Sequence, residues 1–195
     1  VVHLRQTQEI AEVLAVAEPP TPKIGEVWKY RQVDLWNNSQ LADWEQELVE
    51  IQADGFVFRG KSSKDATPKT LYSGRGLSSC RKMRDSDAEM CDGAFAFPLR
   101  VGGKHSYDKR PWRNGDGHTS ADCEVKAVEK VTIPAGTFDA FRVDCQGAWQ
   151  RVFGEGFRKS GRTEESLWYA PTVNSLVKSI YRSYTGSGKL YTQEQ

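Results

Sequence analysis

Histidine is scarce in this chain, and the scarcity limits the catalytic chemistry that can be assembled. A Ser-His-Asp triad would have to use His105 or His118. The Gly-x-Ser-x-Gly turn that carries many nucleophilic serines is absent from the sequence. We therefore predict no catalytic residues and expect a non-enzyme, while a hydrolytic enzyme stays open as an alternative.

Metal and cofactor motifs are also missing. The acidic run of residues 85–92 lacks the sixth-position Gly and the twelfth-position Glu of a calcium-binding EF-hand loop. The chain has no Cys-x-x-Cys pair, and no histidines at zinc-ligand spacing. No Gly-rich phosphate loop opens a predicted helix. The sequence thus predicts neither a bound metal nor a cofactor.

Four cysteines carry the clearest chemical signal. An even count in a β-rich chain indicates two disulfides, one joining Cys123 to Cys145 across a predicted hairpin and one joining Cys80 to Cys91. Four free thiols, or a metal or catalytic role, are the alternatives. Disulfides predict a periplasmic or extracellular protein. The first five residues lack a charged and an apolar signal-peptide region, as expected of a mature, processed chain.

Aromatic residues make up 11% of the chain and are the best candidates for ligand binding. On the concave face of a curved sheet, tryptophans could stack on sugars or contact acyl chains. Packing in the core is the competing interpretation. The predicted ligand-binding residues are Trp28, Trp36, Trp44, Trp149 and Trp168.

The near-neutral net charge of +1 conceals an uneven distribution. Residues 1–54 carry a net charge of −6, and residues 55–195 carry +7. A basic surface, interleaved with aromatic residues, could bind an anionic glycan, a lipid headgroup or a single-stranded nucleic acid. No RNP-type or helix-turn-helix pattern is present, so we expect no sequence-specific nucleic acid. The predicted basic surface comprises Lys104, Lys109, Arg110 and Arg113.

The N-terminal segment reads as a helix over residues 5–17, with Ile10, Val13, Leu14 and Ala17 on one face. A Pro-rich connector follows it, so we predict a helical arm over residues 1–21 and a single β domain over 22–195. The arm docks on that domain or contacts an envelope partner. No run approaches the roughly 18 apolar residues of a membrane-spanning helix.

Alternating apolar and polar residues predict antiparallel strands after the connector. Turn chemistry at residues 134–137 predicts a hairpin between strands 124–133 and 138–146, whereas residues 60–92 and 102–119 read mostly as polar loops. The predicted fold is mainly β: a strongly curved antiparallel sheet of eight to ten strands, as a half-barrel or open barrel, with one N-terminal helix.

Three segments, 22–30, 131–143 and 168–171, resemble a group of exported proteins of Gram-negative bacteria. Their motifs are Val-Thr-Ile-Pro-Ala-Gly-Thr-Phe at a hairpin and Trp-Tyr-Ala-Pro at a strand end. The group is distantly similar to the half-barrel periplasmic lipoprotein carriers. The resemblance implies a fold and an exported location; it supplies no catalytic set.

These observations favour a non-catalytic exported protein that binds a hydrophobic or glycan ligand, or an envelope partner, on an aromatic-rich sheet. A structural or assembly subunit of an extracytoplasmic complex is the second hypothesis, with residues 5–17 and the basic loops as its contact surfaces. The hydrolytic enzyme is the third.

Overall fold

The computed structural model describes residues 16–77, 79–82, 89–111 and 116–194. It describes their side chains as well, except at 66, 79–82, 89–92, 109–111, 155 and 191–194. Strands dominate these ranges, which contain no α-helix and two short 3₁₀ turns, Gly154–Gly156 and Pro171–Val173. The predicted mainly β class is confirmed. Within the same ranges, no helix is long and apolar enough to cross a membrane.

Fourteen strands are distributed over the described residues. They are β1 (Val16–Ala17), β2 (Val27–Asp34), β3 (Ser39–Ile51), β4 (Gly55–Ser62), β5 (Asp65–Gly74), β6 (Ser79–Lys82), β7 (Glu89–Asp92), β8 (Leu99–Arg100), β9 (Lys104–Pro111), β10 (Gly117–Ile133), β11 (Gly136–Val152), β12 (Arg158–Ala170), β13 (Ser175–Thr185) and β14 (Leu190–Glu194). Strands β10 and β11 are the longest, at 17 residues each.

Twelve of these strands form one antiparallel sheet, in the order β7-β6-β5-β4-β3-β2-β14-β13-β12-β11-β10-β9. Its first half, β2 to β7, and its second half, β9 to β14, meet at β14 and β2. That junction has one backbone register pair, Glu194 with Asp34. Strands β1 and β8 pair separately as a short ribbon.

The two edge strands of the large sheet approach each other. Cα atoms of β7 and β9 come within 8 Å, although the strands lie at opposite ends of the hydrogen-bonding order. Neighbouring strands are roughly 4.8 Å apart, so flat edges would be separated by several times that distance. The sheet therefore curves enough to bring its two edge strands near each other. These strands are not neighbours in the hydrogen-bonding order, so the sheet is open.

The hairpin of β10 and β11 matches the prediction. Ile133 pairs with Gly136 across the turn, and the φ of Gly136, +143°, is one that side chains rarely adopt. Cys123 and Cys145 are direct register partners and are joined by a disulfide. The predicted Cys123–Cys145 bond is confirmed. Cys80 and Cys91 are register partners on β6 and β7. Their side chains are not among those described, so the bond between them stays a prediction.

The main core lies on one face of β10 to β12, which we call the inner face. Phe141, Val143 and Leu167 point into it beside the disulfide, all at most 5% exposed. Residues 93–99 and the β1–β8 ribbon cover this face, with Phe97 packing edge-on against Tyr169 at 5.0 Å. These apolar layers fill the inner face at this end of the second half.

The predicted N-terminal helix is wrong at its C-terminal end, and residues 5–15 lie outside the described part of the chain. Val16 and Ala17 form β1 and pair with Arg100 and Leu99. Ala17 is 2% exposed within the main core, so its burial in a sheet overrides the helical spacing. The single domain over 22–195 stays a prediction.

Candidate functional site

Beyond the main core, the inner face opens into a cavity of about 660 Å³, which we call the groove. Strand β11 and the turn after it contribute Trp149, Arg151 and Phe153, whose alternate spacing places them on one face. Strand β12 contributes Lys159. Strand β13 and its following turn contribute a tyrosine and a row of hydroxyls: Tyr181, Ser183, Thr185 and Ser187.

Trp149 is held in place because the neighbouring strand has a glycine, with no side chain, at the position opposite it. Its register partner on β12 is Gly161, and the indole crosses this glycine to donate from Nε1 to the carbonyl of Tyr184 on β13, at 3.0 Å. A Cβ at Gly161 would lie 2.6 Å from that nitrogen. Any side chain there would displace the ring, so glycine is required for the ring's position.

The backbone that accepts this bond is anchored from the opposite face. The hydroxyl of Tyr184 donates to Glu164 Oε2 at 2.9 Å, and the Arg162 guanidinium lies 4.1 Å from the tyrosine ring. The hydrogen bond to the Glu164 carboxylate raises the pKa of Tyr184. Contacts on both faces of β13 therefore fix the strand segment against which Trp149 packs.

Arg151 forms an ion pair with Asp116 where it enters the groove. Its Nε donates to Asp116 Oδ2 at 2.8 Å, and its Nη2 forms an ion pair with the same oxygen at 2.7 Å. The other carboxylate oxygen, Oδ1, is buried and has no hydrogen-bond partner among the described residues. The guanidinium also lies 4.8 Å from the Phe153 ring centroid. The ion pair and the ring contact hold the Arg151 side chain in position as part of the groove wall.

Lys159 is the register partner of Arg151, but its charge is not paired in this way. Its Nζ lies 5.4 Å from the ring centroid of Phe153 and 5.9 Å from that of Phe157. Among the side chains that the structure describes, which do not include that of residue 155, no carboxylate lies within 4.0 Å of this ammonium group. We call Lys159, Phe153 and Phe157 the Lys159 clamp; Phe157 is 60% exposed.

A layer of small polar residues separates the groove from the apolar core. Thr163 and Ser183 are register partners and are 5% and 6% exposed. Gly147 faces Thr163, and a Cβ there would lie 2.7 Å from that of Ala121. The groove thus has a hydroxyl floor and aromatic and cationic walls.

The five predicted tryptophans do not converge on one site. Trp149 alone lines the groove. Trp168 lies on the outer face, 8% exposed, with its Nε1 donating to Glu129 at 2.6 Å and the Lys178 ammonium 5.1 Å from its ring. Trp28 packs in the first half of the sheet, where Trp36 and Trp44 are 62% and 58% exposed.

The predicted basic surface is only partly described. Lys104 pairs in register with Glu124, whose pKa is lowered mainly by a hydrogen bond from Lys126 and further by the charge of Lys104. Lys109 and Arg110 lie on β9 as backbone, with side chains outside the description, and Arg113 lies outside the described residues. Whether these four side chains form one surface stays a prediction.

The histidines that a hydrolase would need lie on opposite faces of the sheet. His105 pairs in register with Cys123 on the inner face, whereas His118 precedes the inward-facing Thr119. Alternation along β10 therefore directs His118 outward. In the portion of the chain that is described, no three His, Cys, Asp or Glu side chains form a group that could hold a metal ion.

Sequence reasoning missed most of the groove. Arg151, Phe153, Lys159 and Tyr181 received no role, although Trp149, Arg151 and Phe153 repeat with the period of two that marks one face of a strand. The signal was present within β11. The contribution of β12 and β13 depended on their register, which a single sequence does not display.

No protein-family model and no curated protein matches this chain. Among solved structures, the chain is similar to a protein of Bacteroides fragilis NCTC 9343 that is described as exported and as having a YmcC-like fold. The two share 16% identity at a TM-score of 0.50, covering 92% of this chain and 96% of the other. At this identity the similarity concerns the fold alone: this chain is similar in fold to that protein.

Proposed function

We propose that this chain is an exported, non-catalytic protein that binds a glycan in the groove. The Cys123–Cys145 disulfide supports export, because such bonds persist in oxidising compartments outside the cytoplasm. The Bacteroides protein of similar fold is itself described as exported. The approach of β7 to β9 supports a half-barrel shape.

The position of Trp149 is the observation that carries the glycan proposal. The indole is fixed by Gly161 and by its bond to Tyr184, so it offers a preorganised ring in an open groove beside Tyr181 and several hydroxyls. Sugar rings stack their C–H faces on such aromatic side chains and hydrogen-bond to hydroxyls. Binding to a fixed ring loses little conformational entropy.

A glycan fits the inner face better than an acyl chain does. An acyl ligand requires an enclosed apolar volume, but Phe95, Phe141 and Tyr169 and their neighbours fill the covered end of the inner face. The open end has Ser183 and Thr163 at its floor and cations in its walls. Burying an acyl chain against those polar groups would leave them without hydrogen bonds.

The test is titration of the purified chain with a panel of neutral and acidic oligosaccharides, followed by calorimetry. We expect at least one to bind, and Trp149→Ala to weaken its affinity about tenfold or more, because stacking on an aromatic ring contributes roughly 1–3 kcal/mol. Trp149→Phe, which retains a smaller ring, should give an intermediate loss. The matched control is Trp36→Ala, which removes an exposed tryptophan of the other half and should leave affinity unchanged.

Two results would overturn the proposal. One is that no oligosaccharide of the panel binds. The other is that Trp149→Phe, shown to be folded by circular dichroism, binds the same sugars with unchanged affinity.

A further inference from the structure

We infer that the Lys159 clamp binds the acidic group of an anionic glycan, so that the groove selects acidic over neutral sugars. This inference rests on the proposed glycan-binding function and adds the chemical class of the ligand. A carboxylate, sulfate or phosphate on the sugar supplies the same chemistry, namely an anion that accepts hydrogen bonds from an ammonium group.

The two cations of the groove differ in the charge that remains for a ligand. Asp116 Oδ2 accepts a hydrogen bond from Nε of Arg151 and lies 2.7 Å from its Nη2, so that guanidinium is paired with a carboxylate. Lys159 has only aromatic rings near its Nζ among the described residues. Among the described side chains of the groove, Lys159 is therefore the cation that an entering anion meets without a paired carboxylate.

The two phenylalanines of the clamp position the ammonium group without neutralising it. The rings of Phe153 and Phe157, whose centroids are 6.1 Å apart, attract the cation through their π faces. They offer no acceptor that competes with a ligand oxygen. The three N–H donors of Lys159 thus remain available to an anion, beside an aromatic surface that excludes part of the water.

The clamp lies at a suitable distance from the stacking ring. Lys159 and Gly161 are successive inner-face positions on β12, and the Trp149 indole lies over Gly161. Such positions are separated by roughly 6–7 Å along a strand, so the clamp and the stacking ring are neighbours in the groove. A sugar stacked on Trp149 therefore has Lys159 as the adjacent cation on β12.

The experiment uses matched pairs of oligosaccharides: oligogalacturonides with their fully methyl-esterified forms, and keratan sulfate oligosaccharides with their desulfated, neutral forms. We expect the acidic member to bind at least tenfold more tightly. This advantage should shrink as salt rises, since exposed charges are screened. It should be lost in Lys159→Gln and reduced in Phe157→Ala.

The matched control is Lys178→Gln. Lys178 also places its ammonium over an aromatic ring, 5.1 Å from that of Trp168, but it does so on the outer face of the sheet. This variant removes the same charge and should keep the full preference for the acidic sugar. Inorganic phosphate and phosphatidylglycerol vesicles test a free anion and a lipid headgroup as the source of the negative charge.

Each contrary outcome identifies what has failed. Equal binding of acidic and neutral sugars, or a preference that survives in Lys159→Gln, overturns the inference and leaves glycan binding intact. Phosphate that binds as tightly as the acidic sugar also overturns it. Absence of binding to any sugar, with or without binding to the vesicles, overturns the proposed function itself.

Discussion

Arg151 and Lys159 are register partners on adjacent strands, yet their charges have different surroundings. Asp116 holds Arg151 through a hydrogen bond and an ion pair, whereas Lys159 lies beside two phenylalanine rings. The difference depends on residue 116, which is far from both along the chain. At the scale of single residues, the neighbours of a side chain therefore decide whether its charge can serve a ligand.

Tyr169 gives a prediction about pH at the same scale. The residue is 1% exposed, and burial raises the pKa of its hydroxyl to about 12. Between pH 10 and 12 the unfolded chain loses this proton while the folded chain retains it, so the stabilisation is complete below pH 10 and is lost as pH rises. The difference from the ordinary pKa of 10.0 corresponds to roughly 2–3 kcal/mol.

We therefore expect Tyr169→Phe to lose less stability than the wild type when urea unfolding is repeated between pH 9 and 12. Tyr72→Phe, at a tyrosine that is 49% exposed, should follow the wild-type curve. Parallel curves for all three proteins would contradict the assignment to Tyr169.

At the scale of elements, the glycine at position 161 lets one side chain connect three neighbouring strands. The Trp149 side chain leaves β11, crosses β12 at Gly161 and donates a hydrogen bond to β13. The groove wall thus depends on contacts across three strands. Strand β12 contributes because it has no side chain at that position.

Gly161→Ala should lower the free energy of unfolding by about 1–3 kcal/mol, because the added methyl group collides with the indole and with the Tyr184 carbonyl. Urea unfolding measures the loss, and the near-ultraviolet circular dichroism of tryptophan should change with it. Gly154→Ala is the control, since a Cβ there has no atom within 4 Å. Equal stability of the two variants would show that the indole does not require the glycine.

At the scale of the whole molecule, few of the interactions between described residues join the two halves of the sheet. Besides the Glu194–Asp34 pair, Trp28 Nε1 donates to the Val173 carbonyl at 3.0 Å, and Tyr30 Oη and Ser175 Oγ share a hydrogen bond of 2.6 Å. Ser175 is 5% exposed, so its hydroxyl depends on that partner. Side chains therefore do much of the joining at the centre of the sheet order.

Tyr30→Phe should destabilise the whole protein by about 1–3 kcal/mol, because it leaves the buried Ser175 hydroxyl without this partner. We expect one urea transition, shifted to lower concentration, with hydrogen exchange accelerated in β2–β4 and in β10–β12 alike. Acceleration confined to β2–β4 would show that the halves unfold independently. An unchanged midpoint would show that the hydrogen bond does not stabilise the joint.

The local patterns of the sequence determined several parts of this structure. Turn chemistry at residues 134–137 and alternation on either side predicted the β10–β11 hairpin, and that hairpin placed Cys123 beside Cys145. These features could be predicted because the partners are separated by a short turn. Register between neighbours in sequence follows directly from such a turn.

Where charged residues occupy the solvent face, the same patterns were misleading. Residues 102–119 read as a polar loop, yet β9 spans Lys104–Pro111. Its inward Tyr107 is 4% exposed, and the flanking Ser106 and Asp108 hydrogen-bond to Asp122 and Ser120 on the outer face. Likewise, β5 occupies Asp65–Gly74 within a stretch interpreted mostly as loop. A strand with one solvated face contains few apolar residues, so composition hides it.

The sequence by itself determined the mainly β class, the main hairpin and its disulfide, all of which depend on contacts close along the chain. Only the tertiary structure decided which tryptophan lines a groove, that Val16 and Ala17 join a strand, and that Arg151 pairs with a carboxylate while Lys159 contacts two aromatic rings. Those outcomes depend on register between β11, β12 and β13 and on contacts between distant residues. Such contacts arise when the strands of the sheet pack around the core, and no local pattern encodes them.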